Sequence, residues 1–198
     1  MKYRTEIFND DHIKYLEDWL NFFKRKGWKN NVTIKDFRLD RLDCAWISFY
    51  KDRFLTFSGI EDVSQWIPKT YRVLTRCVTT NVCDEIWRGQ GCENNFYTCK
   101  LQVPFQVLYA KLHKPEYNVI MSCNAEVTEN AGVDSSFRLA RYLNNPKHFS
   151  DFYDHTNIRT EEIWYTKQYV YDINCDYVVK LGEDFFNIKL STDVLFCK

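Results

Sequence analysis

The chain has 198 residues, 45% of them hydrophobic and 17% aromatic, and its 27 acidic side chains match 27 basic ones. Folding at that length buries roughly 70% of the extended chain's surface, so a complete core needs no disulfide or metal staple. Zero net charge without a basic stripe argues against DNA, RNA and anionic membrane as primary partners, because such binding rests on an excess of Lys and Arg. No apolar run reaches the ~20 residues of a membrane span. The opening residues Met1-Lys2-Tyr3-Arg4-Thr5-Glu6 lack the apolar centre of a signal peptide, which predicts a cytoplasmic location. There the eight cysteines are expected as thiols rather than disulfides. With six Gly, four Pro and no internal repeat or composition break, one domain over 1–198 is expected.

Ile13, Leu16, Leu20 and Phe23 recur at helical spacing and predict a helix from Asp11 to Lys26. Asn9, Asp10 and Asp11 supply capping oxygens and negative charge at its start, and Lys24-Arg25-Lys26 followed by Gly27 suit its end. Asp43 to Tyr50 and Arg53 to Ile60 alternate about a Lys51-Asp52 turn, which predicts a hairpin. Thr70 to Thr80 is the most β-prone stretch. On it Arg72 and Arg76 share a side with Leu74 and Val78, so that side is expected to border a cleft or solvent.

Asn81 to Gln102 has no period and reads as a long loop holding Arg88-Gly89-Gln90-Gly91. A helix follows from Val103 to Lys114, with Pro104 in its first turn and a stripe of Phe105, Leu108, Tyr109 and Leu112. Tyr117 to Cys123 is a short strand, Asn124 to Asp134 a polar loop, and Asp134-Ser135 cap a helix that runs to Leu143. Glu162 to Ile173, Tyr177 to Leu181 and Phe185 to Phe196 read as strands. Two interior helices flanking a lone strand predict a mixed α/β (α+β) fold with helices packed on a mixed sheet.

This order of elements resembles the GNAT superfamily of N-acetyltransferases, with Cys44 to Ile60 as the hairpin, Thr70 to Thr80 as the long strand and Tyr117 to Cys123 as the strand that splays from it. Pro104-Phe105 is similar to the helix start of phage proteins of this build. The resemblance implies a mainly antiparallel sheet with a splayed central strand pair, helices on both faces, and acetyl-CoA bound as co-substrate between the two strands. It further implies transfer to an amine, on a small molecule or a peptide.

On that resemblance the backbone of Arg76, Cys77 and Val78 holds the pantetheine arm, and Arg88, Gly89, Gln90 and Gly91 hold the pyrophosphate through backbone N–H groups. Asn124 binds the arm or the substrate, and Tyr142, seven residues after Ser135, is the general acid that protonates the departing thiolate. Glu61, Asp62 and Glu126 lie near cleft ends as general-base candidates, Glu126 among the assigned site residues. The chain departs from the family pattern at Ile86, where the loop has Arg or Gln, at Ser135, where the helix has Asn, and in the late helix start at Pro104.

These departures leave a second reading open, a non-catalytic structural or interaction domain on the same fold with a degraded cofactor loop and with Trp66, Trp87 and Trp164 on a partner surface. Cys77, Cys83, Cys92 and Cys99, with His113 nearby, lack the close cysteine pair of a zinc site, and no metal is assigned. No Ser nucleophile elbow, Walker loop or dinucleotide fingerprint is present.

Overall fold

Among the described residues seven strands form one sheet in the order β1-β2-β3-β4-β5-β7-β6. They are β1 Tyr3–Ile7, β2 Cys44–Tyr50, β3 Arg53–Asp62, β4 Thr70–Cys77, β5 Asn118–Asn124, β6 Arg159–Ile163 and β7 Thr166–Asp172. The helices are α1 Ile13–Arg25, α2 Val103–His113 and α3 Cys175–Phe186. The computed structural model describes residues 3–25, 33–50, 53–77, 102–125 and 158–186. Among these, neighbouring strands pair antiparallel except β4 and β5, which run parallel. The fold is therefore the mixed α+β fold that the order of elements predicts, with the mainly antiparallel sheet that the resemblance implies.

Strand alternation sorts the core into two faces. Trp46, Ile60, Tyr71, Val73, Val119 and Met121 point to one side and pack beneath α2 and α3, where Val103, Phe105, Val107, Ala110 and Val178 complete the cluster. Ala45 and Phe57 point to the other side and receive Leu16 and Leu20 of α1. Further along that second face Ile120, Val170 and Ile163 pack with Val63, Trp66 and Trp164. Helices thus cover both faces. Burial of each of these apolar side chains contributes about 1.5–3 kcal/mol before chain entropy is charged against it.

The predicted first helix starts through a 3₁₀ turn, Asp10–His12, capped by Asn9. Asn9 Oδ1 accepts from the Asp11 N–H at 3.1 Å, and the Asn9 N–H donates to His12 Nδ1 at 3.0 Å. That places the imidazole proton on Nε2, which donates to Glu6 Oε2 at 3.1 Å. Lys26 and Gly27, expected at the helix end, lie outside the described residues.

On α2 the buried positions are Val103, Pro104, Phe105, Gln106, Val107 and Ala110, whereas Leu112 of the predicted stripe is 43% exposed. The helix is wedged between the sheet and α3, so a single stripe underestimates its contacts. Two glutamines enter the interface: Gln102 Nε2 donates to Ser48 Oγ at 3.0 Å, and Gln106 Nε2 donates to Ser58 Oγ and to the Gly59 carbonyl at 2.7 and 2.9 Å. Buried amides with such partners are tolerated, and they register the helix on β2 and β3.

The C-terminal third differs from the sequence expectation. Glu162 to Ile173 is a hairpin about Trp164–Tyr165, because both turn residues take left-handed backbone (φ 53° and 58°). The Asn-Gly signal that normally marks such a turn is absent, and the segment consequently read as one strand. Tyr177 to Leu181 lies in helix α3, and Phe185 and Phe186 close that helix. Asn174 accepts from the Tyr177 N–H at 3.3 Å as an N-cap, and Val178 is fully buried against the sheet's helical face. The β-prone Tyr-Val-Val run is overridden by a cap and by tertiary packing. The predicted Ser135 to Leu143 helix lies outside the described residues.

Candidate functional site

Parallel neighbours in a sheet normally stay registered along their shared length. Here β4 and β5 pair at Thr70↔Asn118, Tyr71↔Val119, Arg72↔Ile120 and Val73↔Met121, and the described register goes no further. Both strands continue. β4 remains paired with β3 as far as Cys77, through Thr56↔Cys77, and β5 remains paired with β7 as far as Asn124, through Asn124↔Gln168. The sheet therefore parts between β4 and β5 while each half keeps its outer partner, which leaves a wedge with its apex at the Val73–Met121 rung.

Beyond that rung the described residues show no β4–β5 pairing, so backbone N–H and C=O groups that a closed sheet would pair there are not tied across the two strands. Arg76 and Cys77 stand on the β4 side of the wedge and Asn124 at the end of β5. The strand positions of the predicted arm-binding site that are described therefore lie beyond the last β4–β5 rung. Val78, the loop Arg88, Gly89, Gln90 and Gly91, and the two assigned catalytic residues Tyr142 and Glu126 lie outside the described residues.

The apex itself is polar and buried. Glu61 on β3 faces Arg72 on β4, 1% and 8% exposed, and Arg72 donates to Glu61 Oε1 through Nε and Nη2. Arg72 was expected to border a cleft or solvent; it borders the cleft apex, and the ion pair with Glu61 keeps it out of solvent. Arg72 Nη1 donates across to Ser122 Oγ on β5 at 3.4 Å, Ser122 Oγ to Gln168 Oε1 at 3.2 Å, and Gln168 Nε2 to Thr166 Oγ1 at 2.8 Å. Burial pushes the Glu61 carboxyl up from the usual carboxylate range, while the Arg72 guanidinium and the Trp164 N–H pull it back. Glu61 is thereby committed to an ion pair and is a poor general base.

Asp62 is committed as well. It accepts from the Ser64 N–H at 2.8 Å and binds Lys114. Burial works against its charge but is outweighed by those hydrogen bonds, which hold its carboxyl below the usual range. Lys114 lies over the Tyr117 ring at 4.6 Å and the Tyr71 ring at 5.3 Å, at the closed end of the strand pair. Burial pushes the Tyr71 phenol up to about 12, which leaves it a weak proton donor near neutrality.

Three side chains of this region escaped sequence reasoning. Ser122 and Gln168 carry no motif. Trp164, expected with Trp66 on an exposed partner surface, packs against Trp66 with ring centroids 4.2 Å apart and planes tilted by 50°. One signal was available: Glu61 and Arg72 stand at equal distances from the Trp66–Ile67 connection, the spacing that antiparallel pairing converts into contact.

At the N-terminus of α2, Pro104 has no N–H and the Phe105 N–H donates to the Gln102 carbonyl at 3.1 Å. Val103 and Phe105 are buried. Among the described residues no three His, Cys, Asp or Glu side chains gather where a metal could bind, and Cys83, Cys92 and Cys99 lie outside them. Among the described residues no helix is long and apolar enough to cross a membrane.

No protein-family model and no curated protein sequence matches the chain. Solved structures that it is similar to include an aminoglycoside N(6')acetyltransferase from Legionella pneumophila, 11% identical, with 91% of this chain and 96% of that one covered and a TM-score of 0.45. An aminoglycoside acetyltransferase in complex with coenzyme A and kanamycin is 9% identical, with 93% and 99% covered and a TM-score of 0.47. A chimeric spermidine N-acetyltransferase from Vibrio cholerae is 7% identical, with 91% and 99% covered and a TM-score of 0.47. At such identities and scores these likenesses carry no weight for what this chain does, and the site stands on its own geometry.

Proposed function

We propose that the chain is a GNAT-like acyltransferase that moves an acetyl or acyl group from acyl-CoA to an amine on a small molecule or peptide. One observation carries the reading: the parallel register of β4 and β5 stops at Val73–Met121 while both strands run on. A thioester arm laid in that wedge would find strand backbone groups to bond, and the amine would meet the thioester carbonyl near the apex, oriented and shielded from water. In this reading Arg76, Cys77, Val78 and Asn124 hold the arm, and Arg88, Gly89, Gln90 and Gly91 hold the pyrophosphate. Glu126 takes the amine proton as nitrogen bonds to the carbonyl carbon. The C–S bond then breaks, and Tyr142 returns a proton to the thiolate. The commitments of Glu61 and Asp62 favour Glu126 among the three carboxylates considered.

A second reading, a non-catalytic domain on this fold, is favoured by the α2 N-terminus. Pro104 and the Phe105-to-Gln102 bond reduce the donors that helix can offer an anion, and its first turn is buried in apolar contacts.

Thermal unfolding with acetyl-CoA separates the two. A competent wedge gains about 2.7 kcal/mol at 100 times Kd, a rise in Tm of roughly 5–10 °C for a chain of this size. The double variant Gly89→Val with Gly91→Val is expected to abolish the rise. No shift at millimolar acetyl-CoA sinks the transferase reading and leaves the non-catalytic one.

A further inference from the structure

Trp164 occupies a place where an indole is costly. It is the first residue of a two-residue turn with left-handed backbone at both positions, a conformation that Asn and Gly adopt readily and bulky aromatics do not. Its ring nevertheless makes three contacts with segments remote in sequence. It packs tilted against Trp66 at 4.2 Å, lies under the Arg41 guanidinium at 3.7 Å, and donates from Nε1 to Glu61 Oε2 at 3.3 Å. The Arg41 contact brings in the segment before β2, and the Trp66 contact brings in the connection between β3 and β4.

Followed onward, the hydrogen bonds lead back to the turn that carries Trp164, and its backbone closes the circuit. Glu61 holds Arg72, Arg72 reaches Ser122 across the β4–β5 boundary, Ser122 donates to Gln168, and Gln168 donates to Thr166, the residue that ends the Trp164–Tyr165 turn. Thr166 Oγ1 in turn donates to the Ile163 carbonyl at 2.7 Å, the residue that begins it. Glu61 accepts from both Trp164 and Arg72, and from Arg72 onward each group donates to the next. The crossing from Arg72 to Ser122 stands at the last registered rungs of the parallel pair, beside Val73–Met121. A side-chain circuit therefore joins the two halves of the sheet at the point where backbone pairing ends.

We propose that Trp164 is a positioning residue, a clamp that fixes how far β4 and β5 separate beyond their last rung. Its N–H orients the Glu61 carboxylate, that carboxylate fixes the Arg72 guanidinium, and the guanidinium ties β5 to β4 through Ser122. The clamp is a property of the sheet itself. Its consequence for the thioester end of a bound acyl-CoA rests on the acyltransferase reading.

Three substitutions test it. Trp164→Phe keeps a ring for Trp66 and Arg41 and removes the donor; Trp164→Ala removes both; Tyr165→Ala alters the same turn without touching the circuit. Amide hydrogen exchange over 70–77 and 118–124 is expected to accelerate roughly tenfold in Trp164→Phe, the loss of one hydrogen bond to an ionised group, and further in Trp164→Ala. In Tyr165→Ala it is expected to stay within about twofold of the parent. Circular dichroism checks the indole pair itself: Trp66 and Trp164, 4.2 Å apart and tilted by 50°, are expected to produce an exciton couplet that Trp164→Phe removes. A parent protein without that couplet, unchanged exchange in Trp164→Ala, or equal acceleration in Tyr165→Ala each overturns the clamp.

Affinity for acetyl-CoA relative to CoA reads its effect on the acyl end, a ratio that general loosening of the fold does not move. It is expected to fall roughly tenfold in Trp164→Phe. An unchanged ratio with binding intact overturns the clamp's role at the acyl end. Absence of binding by the parent protein fails the acyltransferase reading instead, and the exchange result still decides the clamp.

Discussion

Glu61 and Arg72, directly opposite in the β3–β4 register, form one buried ion pair with 1% and 8% of each residue exposed. Water cannot stabilise either charge there, so each depends on the other and on the N–H and hydroxyl groups around it. A pair of this kind adds little net stability over an apolar replacement, yet removing one member strands the other charge. That asymmetry makes its contribution measurable.

Glu61→Leu is expected to lower the stability of the chain by about 3–5 kcal/mol, because Arg72 is left buried and uncompensated. Glu61→Met combined with Arg72→Met is expected to recover most of that loss. Urea unfolding midpoints of the three proteins check it. Equal stability of Glu61→Leu and the parent would show that Arg72 escapes to solvent.

Gly59 lies where β3 passes beneath Leu42. A Cβ there would stand 2.5 and 2.8 Å from the two Leu42 methyl carbons and 3.1 Å from the Cys44 carbonyl oxygen. Gly59→Ala is expected to cost about 1–3 kcal/mol through overpacking. Adding Leu42→Val relieves the methyl contacts but not the carbonyl, so partial rescue in thermal unfolding is the expected outcome. Full tolerance of the single alanine contradicts the described packing.

Cys44 and Cys175 are free thiols whose pKa values burial pushes up to about 11. Their alkylation near neutral pH is expected to run about 100-fold slower than that of an unstructured cysteine, as two units of pKa reduce the thiolate fraction. The sign of the linked pH effect follows. The folded chain holds these protons more tightly than the unfolded one, so stability is intact below the ordinary thiol pKa near 9 and falls as pH rises through 11, on the order of 2 kcal/mol per thiol. Peptide mapping after timed alkylation, and unfolding at pH 8 and 11, check both parts.

Asn174→Ala is expected to destabilise the chain by about 1 kcal/mol, since its side chain caps α3 at the Tyr177 N–H. Asn174→Asp is expected to retain the cap. Loss of protection confined to the first turn of α3 in amide exchange is the matching local signature.

Much of the architecture was legible in the chain because its causes are local. Leu16 and Leu20 at helical spacing, the alternation on either side of Lys51-Asp52, and Pro104 ahead of the second helix each encode an element within a few residues, and each element formed. The same local logic failed after Arg159. Trp164-Tyr165 adopts a turn through contacts with Trp66, Arg41 and Glu61, more than a hundred positions away for Glu61, and the Tyr177-Val178-Val179 run becomes helix because Asn174 caps it and Val178 meets α2 and the sheet.

The sequence by itself therefore determined the order of the described elements from α1 to β5, and its resemblance added the expectation of a splayed central strand pair within a mainly antiparallel sheet. Tertiary structure alone decided that β4 and β5 part after Val73–Met121, and that Glu61, Arg72, Ser122, Gln168 and Trp164 meet at that point. The physical reason is range. A cap, a turn or a stripe is written in neighbouring residues, whereas an apex built from four strands and a turn exists only once the sheet has brought distant side chains within hydrogen-bonding reach.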